Sequence, residues 1–144
     1  MGGRQQGTRT GVCVQAPYNL INRKLENEVF GLVQDQGLAV GLLTGVYSPG
    51  QPPPEDRLWG AKWRSRFEGK LDGRPGRILA AVREIAAELG KTPAQVALAW
   101  VLAHREVSVA VVGCDDAGQL DENLGALGWH LSTDQLDRLN NFSS

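Results

Sequence analysis

The stretch GKTPAQVALAWVL, residues 90–102, decides how the rest of this chain must be arranged. Gly90 is suited to end a preceding helix. Residues 92–95, TPAQ, combine an N-cap threonine, a proline at the first helical position and a capping-box glutamine. The residues that follow are apolar on nearly every side. We therefore predict a helix, Pro93–His104, that is buried on more than one face.

Helical patterns continue on both sides of this stretch. Residues 77–89 place apolar side chains on one stripe at helical spacing, and Gly90 stops them. Further along, a cap residue followed three positions later by glutamine predicts two more helices, Asp116–Leu127 and Thr133–Asn140. The C-terminal part of the chain is therefore expected to be rich in helices.

Short apolar runs predict strands between the helices. They lie at residues 11–15, 38–40 and 107–112, and a helix is predicted between the first two, at residues 22–36. The run at 107–112 is almost entirely apolar, which is typical of a parallel strand covered on both faces. Strands that alternate with helices indicate βα units and a parallel sheet, either open or closed into a barrel.

One long segment, residues 47–76, interrupts this pattern with many glycines and prolines. A loop of this length inside a domain is usually functional or disordered. Trp59, Trp63 and Phe67 lie four residues apart within it, so we predict a short helix that packs its aromatic face against the body. A lid over a bound ligand is the alternative interpretation of these aromatic residues.

The overall composition limits the classes of function. The chain has 144 residues, 42% hydrophobic and 22% charged, with a formal net charge of -1. That charge gives no electrostatic reason to expect a nucleic acid or an anionic membrane as partner. Residues 1–10 are polar and glycine-rich, so we expect a flexible tail rather than a signal peptide. Cys13 and Cys114 are far apart and are expected to be reduced, buried thiols of a cytoplasmic protein.

Four segments, in order, resemble the aldo-keto reductase family. They are VQAPYNLINR at residues 14–23, GLLTGVY at 41–47, the stretch at 90–102, and VVGCDDAGQLDENL at 111–124. The resemblance implies a (β/α)8 TIM barrel of the α/β class, of which residues 11–144 would be the C-terminal half, with parallel strands and surrounding helices. It also implies NAD(P)-dependent reduction of aldehydes or ketones.

The resemblance further implies a site for a nicotinamide dinucleotide at the C-terminal ends of the strands. The amide of Gln15 would contact the nicotinamide carboxamide, and the loop at 42–45 would run along the pyrophosphate. The loop at 113–116 would meet the adenosine ribose, and the helix after it the adenine. The expected cofactor-binding residues are Gln15, Leu42, Gly45, Gly113, Asp116, Gln119, Glu122 and Asn123.

These residues also have interpretations without a ligand. Gln15 can be a surface amide at the end of a strand. Asp116, with Asp115 beside it, can be simply the N-cap of its helix. Gln119 and Asn123 can lie on a solvated helix face. The sequence leaves these alternatives open.

The chain departs from the family pattern in three ways. The family's catalytic Asp, Tyr, Lys and His have no counterpart in these residues, so we assign no catalytic residue. A stacking and phosphate-binding stretch after the seventh strand is absent between Val40 and Gly41. Cys114, Asp115 and Asp116 stand where the family usually has a basic residue, which makes NADP less suited than NAD. We assign no metal ligand and expect neither histidine, His104 or His130, to be catalytic.

The leading hypothesis is a reductase represented only by its cofactor-binding C-terminal half and inactive alone. Such a half barrel would expose sheet edges, so self-association or pairing with an N-terminal half is expected. One alternative is a non-catalytic nucleotide-binding or protein-interaction module. Another is a non-functional product of a truncated reading frame.

Overall fold

The regular elements that can be described in the computed structural model are helical. The structure describes residues 19–23, 42–56, 60, 67–107 and 109–143. Within these ranges a 3-10 turn precedes four helices in chain order: Leu42–Thr44 (the 3-10 turn), α1 Arg74–Leu89, α2 Pro93–Leu102, α3 Ala117–Leu124 and α4 Thr133–Ser143.

Helix α2 lies at the centre of this arrangement. Its buried side chains point in every direction around the helix axis: Ala94, Val96, Ala97, Leu98, Ala99, Trp100 and Val101. The helix packs against α1, α3 and the 3-10 turn. The predicted capping box is present, because Gln95 N–H donates to Thr92 Oγ1 at 3.3 Å and Thr92 N–H donates to Gln95 Oε1 at 3.1 Å. The prediction of a helix buried on several faces is confirmed.

Helix α1 packs against both α2 and α4. It begins at Arg74, three residues before the predicted start, because Pro75 occupies its first turn and extends the helix backwards. It ends at Gly90, which adopts a left-handed φ of 61°. Lys91 N–H then donates to the Ala86 carbonyl at 2.9 Å, as in a Schellman motif. The chain therefore turns tightly from α1 into α2.

Helix α4 packs against α1 and is hydrogen-bonded to the segment 19–23. Trp100, fully buried in α2, donates from Nε1 to Asn140 Oδ1 at 3.1 Å. Arg23 donates to Ser143 Oγ at 2.7 Å and lies over the Trp100 ring at 5.4 Å from its centroid. Arg74 adds hydrogen bonds to the carbonyls of Ile21 and Ser143. Two arginines thus bind the C-terminal end of α4, where carbonyl groups lack helical partners.

Several predicted boundaries are wrong. Asn22 and Arg23 are not helical, because the buried Asn19 side chain accepts hydrogen bonds from Ile21 N–H and Asn22 N–H, each at 2.9 Å, and forms a turn there. Helix α2 ends at Leu102 rather than His104, which instead donates from Nδ1 to the Trp100 carbonyl at 2.8 Å. The predicted elements at residues 11–15, 24–36 and 38–40 lie outside the described residues.

The predicted strand at 107–112 is not confirmed. Val107 and residues 109–112 form no regular strand, and Val109 is 50% exposed. The expectation of cover on both faces is therefore wrong for this run. A strand needs a hydrogen-bonded neighbour, and the strands predicted to pair with it lie outside the described ranges.

The long segment at 47–76 is largely irregular in its described parts and becomes helical at Arg74. Phe67 is buried and its ring centroid lies 5.4 Å from that of Tyr47, so this aromatic residue packs against the body as predicted. Trp59 and Trp63 lie outside the described residues.

We expect replacement of Glu88 by glutamine to reduce the acid sensitivity of the fold. Arg138 of α4 forms a bidentate contact with Glu88 of α1, at 2.9 Å to each carboxylate oxygen, and this hydrogen bonding lowers the pKa of Glu88 below its usual 4.5. A carboxylate with a lowered pKa stabilises the fold above its unfolded pKa, and that contribution is lost as the pH falls through the folded value. Below about pH 4.5 the Tm of wild type should therefore fall more steeply than that of Glu88→Gln.

The matched control is Glu84→Gln. Glu84 approaches Arg138 only to 3.8 Å and its side chain is 68% exposed, so this variant should follow the wild-type curve more closely. Parallel Tm–pH curves for wild type and Glu88→Gln, measured by thermal melting from pH 3 to 7, would contradict the assignment.

Candidate functional site

The loop that leads into α3 is closed by reciprocal hydrogen bonds. Asp116 has extended backbone and accepts from Gln119 N–H at 2.8 Å through its carboxylate. The side chain of Gln119 returns the contact, because its Oε1 accepts from Asp115 N–H at 3.0 Å. Asp116 is therefore an N-cap, as the alternative interpretation proposed, and Gln119 is used to hold the loop.

A further side-chain contact ties the loop to the second turn of α3. Asn123 Nδ2 lies 3.3 Å from the sulfur of Cys114, which is exposed, so the expectation of a buried thiol is wrong for this residue. Gln119 and Asn123 are one helical turn apart, and both reach back to the loop. Five positions, 114–116 and the two in α3, are thereby brought together.

The N-terminal end of α3 keeps backbone donors available. Asp116 occupies the N–H of Gln119 through its side chain and that of Leu120 through its carbonyl at 3.2 Å. Within the described part of the chain, no acceptor meets the N–H groups of Ala117 and Gly118. Gly113 is exposed, and a Cβ built there would have no heavy atom within 4 Å. The backbone between Gly113 and Gly118 is thus open to an approaching molecule.

The 3-10 turn at 42–44 has a different character. Leu42 is only 7% exposed and belongs to the core, so its side chain faces the protein rather than solvent. Gly45, which follows, has φ +83°, and a Cβ there would lie 2.7 Å from Pro93 Cγ. Glycine is therefore required at 45 both by backbone conformation and by the close packing of α2.

One arginine of α1 holds the segment after this turn. Arg83 donates through Nη2 to the carbonyls of Gly45 and Tyr47, each at 2.8 Å, and to Ser48 Oγ at 3.2 Å. Three acceptors around one guanidinium fix the path of residues 45–48. Arg83 therefore determines how this segment is presented at the surface.

The first turn of α2 contacts both the 42–45 segment and α3. Pro93 packs on Gly45, while Gln95 Nε2 donates to the Glu122 carbonyl of α3 at 2.9 Å. Gly125, just after α3, lies so close that a Cβ there would overlap Gln95 Nε2. The 42–45 turn and α3 are thus both attached to one turn of α2.

The predicted site residues are therefore distributed as follows. Asp116, Gln119 and Asn123 form one cluster with Cys114 and Asp115. Among the described residues, Gly45 is linked to Glu122 through α2. The buried side chain of Leu42 leaves its backbone to meet a ligand. Gln15 lies outside the described residues. Their roles toward a ligand stay predictions.

Three further observations on the described residues concern metal ions, histidines and membranes. In the described ranges, no group of three or more His, Cys, Asp or Glu residues could hold a metal ion. His104 is occupied by the Trp100 carbonyl, and its ring packs edge-on against the Trp100 ring at 4.3 Å. None of the helices that the structure describes has the length and apolar character needed to cross a membrane.

Two residues with a part in this geometry were missed from the sequence. Arg83 interrupts an otherwise amphipathic helix, but its three acceptors are backbone and hydroxyl groups far away in sequence. Gln95 was identified as a capping residue, yet its second contact, to the Glu122 carbonyl, depends on how α2 and α3 pack. No local pattern in the sequence could have indicated either contact.

Comparison with known proteins gives a consistent result. The model of the aldo/keto reductase family matches residues 5–144. A probable voltage-gated potassium channel subunit beta of Oryza sativa subsp. japonica is 33% identical over 127 residues, which cover 81% of this chain and 39% of that protein. An L-glyceraldehyde 3-phosphate reductase of Escherichia coli K12 is 35% identical over 124 residues, which cover 78% of this chain and 36% of that protein.

A solved structure supports the fold. The glycerol dehydrogenase of Gluconobacter oxydans superposes with a TM-score of 0.67 at 23% identity, over 90% of this chain and 41% of the dehydrogenase. The chain thus spans about two fifths of the length of the relatives that it matches.

We expect Gly45→Ala to destabilise the protein more than Gly50→Ala does. Both glycines have positive φ, 83° and 70°, so alanine at either position costs about 1–2 kcal/mol of backbone strain. Only at Gly45 does the new methyl group meet Pro93, which adds roughly 1–3 kcal/mol for overpacking. Denaturant unfolding of the two variants measures the difference. Equal free energies of unfolding would show that Gly45 does not pack against α2.

We expect Asp116→Ala to loosen α3, whereas Asp115→Ala should not. Loss of the N-cap acceptor costs about 1 kcal/mol, and amide hydrogen exchange in residues 117–124 should become faster. Asp115 contributes its backbone N–H to the loop, so Asp115→Ala removes an equal charge and leaves both hydrogen bonds in place. Faster exchange of α3 in Asp115→Ala to the same degree would contradict the capping role.

Proposed function

The chain belongs to the aldo/keto reductase family, and we propose that it binds a nicotinamide dinucleotide through the loop at 113–116 and the start of α3. In this proposal residues 11–144 are the C-terminal, cofactor-binding part of a (β/α)8 barrel. The hydride that this family transfers to an aldehyde or ketone is supplied by the nicotinamide ring when the cofactor is bound.

The observation that carries this proposal is the open backbone between Gly113 and Gly118. The N–H groups of Ala117 and Gly118 stand at a helix N-terminus, where orphan donors and the helix dipole favour the oxygen atoms of a nucleotide. Asp115 and Asp116 are exposed beside them and can accept hydrogen bonds from ribose hydroxyls. The donors and acceptors present therefore fit the adenosine part of a dinucleotide.

The remaining proposed contacts follow from the same arrangement. Gln119 uses Oε1 within the loop, which leaves its Nε2 as a donor toward the adenine. Asn123 retains Oδ1 as an acceptor, and the half-buried Glu122 lies on the same helix. We place the pyrophosphate along the backbone from Leu42 to Gly45, and the nicotinamide carboxamide at Gln15.

The charge of the loop favours NAD over NADP. A 2′-phosphate on the adenosine ribose would lie close to the carboxylates of Asp115 and Asp116, and like charges repel. The position lacks the basic residue that would bind such a phosphate. We therefore propose NADH as the preferred reduced cofactor.

Catalysis depends, in this proposal, on residues from outside these 144. The resemblance assigns proton donation to a Tyr whose pKa is tuned by Lys and Asp, and no residue here matches that group. The chain alone is expected to bind the cofactor without reducing a carbonyl compound, and self-association or pairing with the other part of a barrel would complete the site. A cytoplasmic location suits both NADH and the exposed thiol of Cys114.

A binding module is the second candidate function. Two similar plant proteins carry the name probable voltage-gated potassium channel subunit beta, a name that describes a subunit rather than an enzyme. A chain that holds a nucleotide and contacts another protein would fit the same geometry. NADH oxidation on addition of an aldehyde, once the chain is combined with the other part of a barrel, would favour the reductase. Binding of NADH without turnover in that same mixture would favour the module.

We expect wild-type chain to bind NADH more tightly than NADPH, as measured by quenching of tryptophan fluorescence. The double variant Asp115→Asn, Asp116→Asn should narrow the ratio of the two Kd values by roughly fivefold, since about 1 kcal/mol of repulsion is removed. Asparagine keeps the N-cap, because it caps as well as aspartate.

The control for this experiment is Asp72→Asn, Glu106→Gln, which removes the same charge at exposed positions on other segments. Its Kd ratio should match that of wild type. Tighter binding of NADPH by wild type would overturn the cofactor preference. Saturation by neither nucleotide would overturn the proposed function.

A further inference from the structure

Helix α3 is held in place without burying its apolar side chains. None of its residues is buried, and its leucines, Leu120 and Leu124, are 48% and 51% exposed. The polar residues Gln119, Glu122 and Asn123 are instead half-buried. Burial of apolar side chains within the described structure therefore contributes little to fixing α3, and polar contacts at its ends must do more.

The contact at the C-terminal end of α3 is made by Gln95. Its Nε2 donates to the Glu122 carbonyl at 2.9 Å, while its Oε1 accepts from Thr92 N–H at 3.1 Å. Thr92 N–H can only donate and a carbonyl can only accept, so these two partners fix the orientation of the amide. One side chain thus closes the capping box of α2 and binds the last turn of α3.

We propose that Gln95 is a positioning residue of the nucleotide site, an inference that rests on the proposed function. Through Gln95 the first turn of α2 fixes α3, and therefore the loop at 113–116 that the Asp116 cap joins to it. Through Pro93 the same turn contacts Gly45. Gln95 thereby sets the distance between the adenosine part of the site and the 42–45 segment, without contacting the nucleotide.

A glutamate at this position separates the two contacts of Gln95. Gln95→Glu keeps the acceptor for Thr92 N–H and so retains the capping box, which uses Glu as readily as Gln. It removes the donor to the Glu122 carbonyl and places a carboxylate against that oxygen. Thr92→Ala is the matched control, because it removes the cap acceptor Oγ1 and leaves the Gln95–Glu122 hydrogen bond.

The test combines Tm, the Kd for NADH and amide hydrogen exchange on the full chain. Thr92→Ala should lower Tm and change the Kd by less than about twofold. Gln95→Glu should raise the Kd roughly tenfold, the equivalent of about 1.4 kcal/mol. Exchange should become faster in residues 117–124 of Gln95→Glu, while that of α1 stays as in wild type.

A second variant reaches the same hydrogen bond from the other side and protects the test if Gln95→Glu does not fold. Gly125 has φ −64°, so alanine there brings no backbone strain, but its methyl group would overlap Gln95 Nε2. Gly125→Ala should reproduce the faster exchange of α3 and the weaker binding of NADH.

The outcomes distinguish the two proposals. Failure of wild type to bind NADH would overturn the proposed function, and with it the role of Gln95 toward a nucleotide. The exchange data would still decide whether Gln95 fixes α3. Unchanged exchange and unchanged Kd in Gln95→Glu and Gly125→Ala, with wild type binding normally, would overturn the inference itself.

Discussion

A ten-residue helix that is apolar on nearly every side can exist in water only if other parts of the chain surround it. Helix α2 imposes this requirement. Helix α1 covers one side, the 3-10 turn and α3 cover others, and Trp100 brings α4 into contact by donating to Asn140. At its start the Thr92–Gln95 capping box satisfies two backbone N–H groups, and near its end His104 donates to the Trp100 carbonyl. The remaining elements therefore pack around α2 and cover its apolar surface.

The same requirement explains why the candidate site lies where it does. Because α2 is enclosed, its first turn is the part that can meet several segments at once. Pro93 and Gln95, which serve the local purpose of starting the helix, also contact Gly45 and the Glu122 carbonyl. A helix start that is required for stability therefore also brings together two segments that the family resemblance assigns to one cofactor.

Patterns of neighbouring residues correctly predicted the helix caps and helix ends that depend on short-range interactions. The Thr92–Gln95 box, the Asp116 cap and the stop at Gly90 each depend on groups a few residues apart, and each is present in the structure. The same patterns failed for burial and side-chain contacts that depend on residues far away in the sequence. Burial of the run at 107–112 depends on neighbouring strands, and the Arg83 contacts depend on acceptors more than thirty residues away. Site membership came from resemblance, because spacing alone could not tell a nucleotide-binding Gln119 from a capping one.

The way α3 is held relates the stability of the chain to the proposed binding of a nucleotide. A helix fixed by burial of its leucines would have little freedom to respond to a ligand, because displacing them would expose apolar surface. Here the leucines face outward, and the helix is held by Asp116 at one end and the Gln95 contact at the other. Each such hydrogen bond contributes only about 1 kcal/mol. In the proposed function, a nucleotide that engages the open N–H groups of α3 would add stabilisation comparable to what already holds the helix, so binding and ordering of α3 would be strongly coupled.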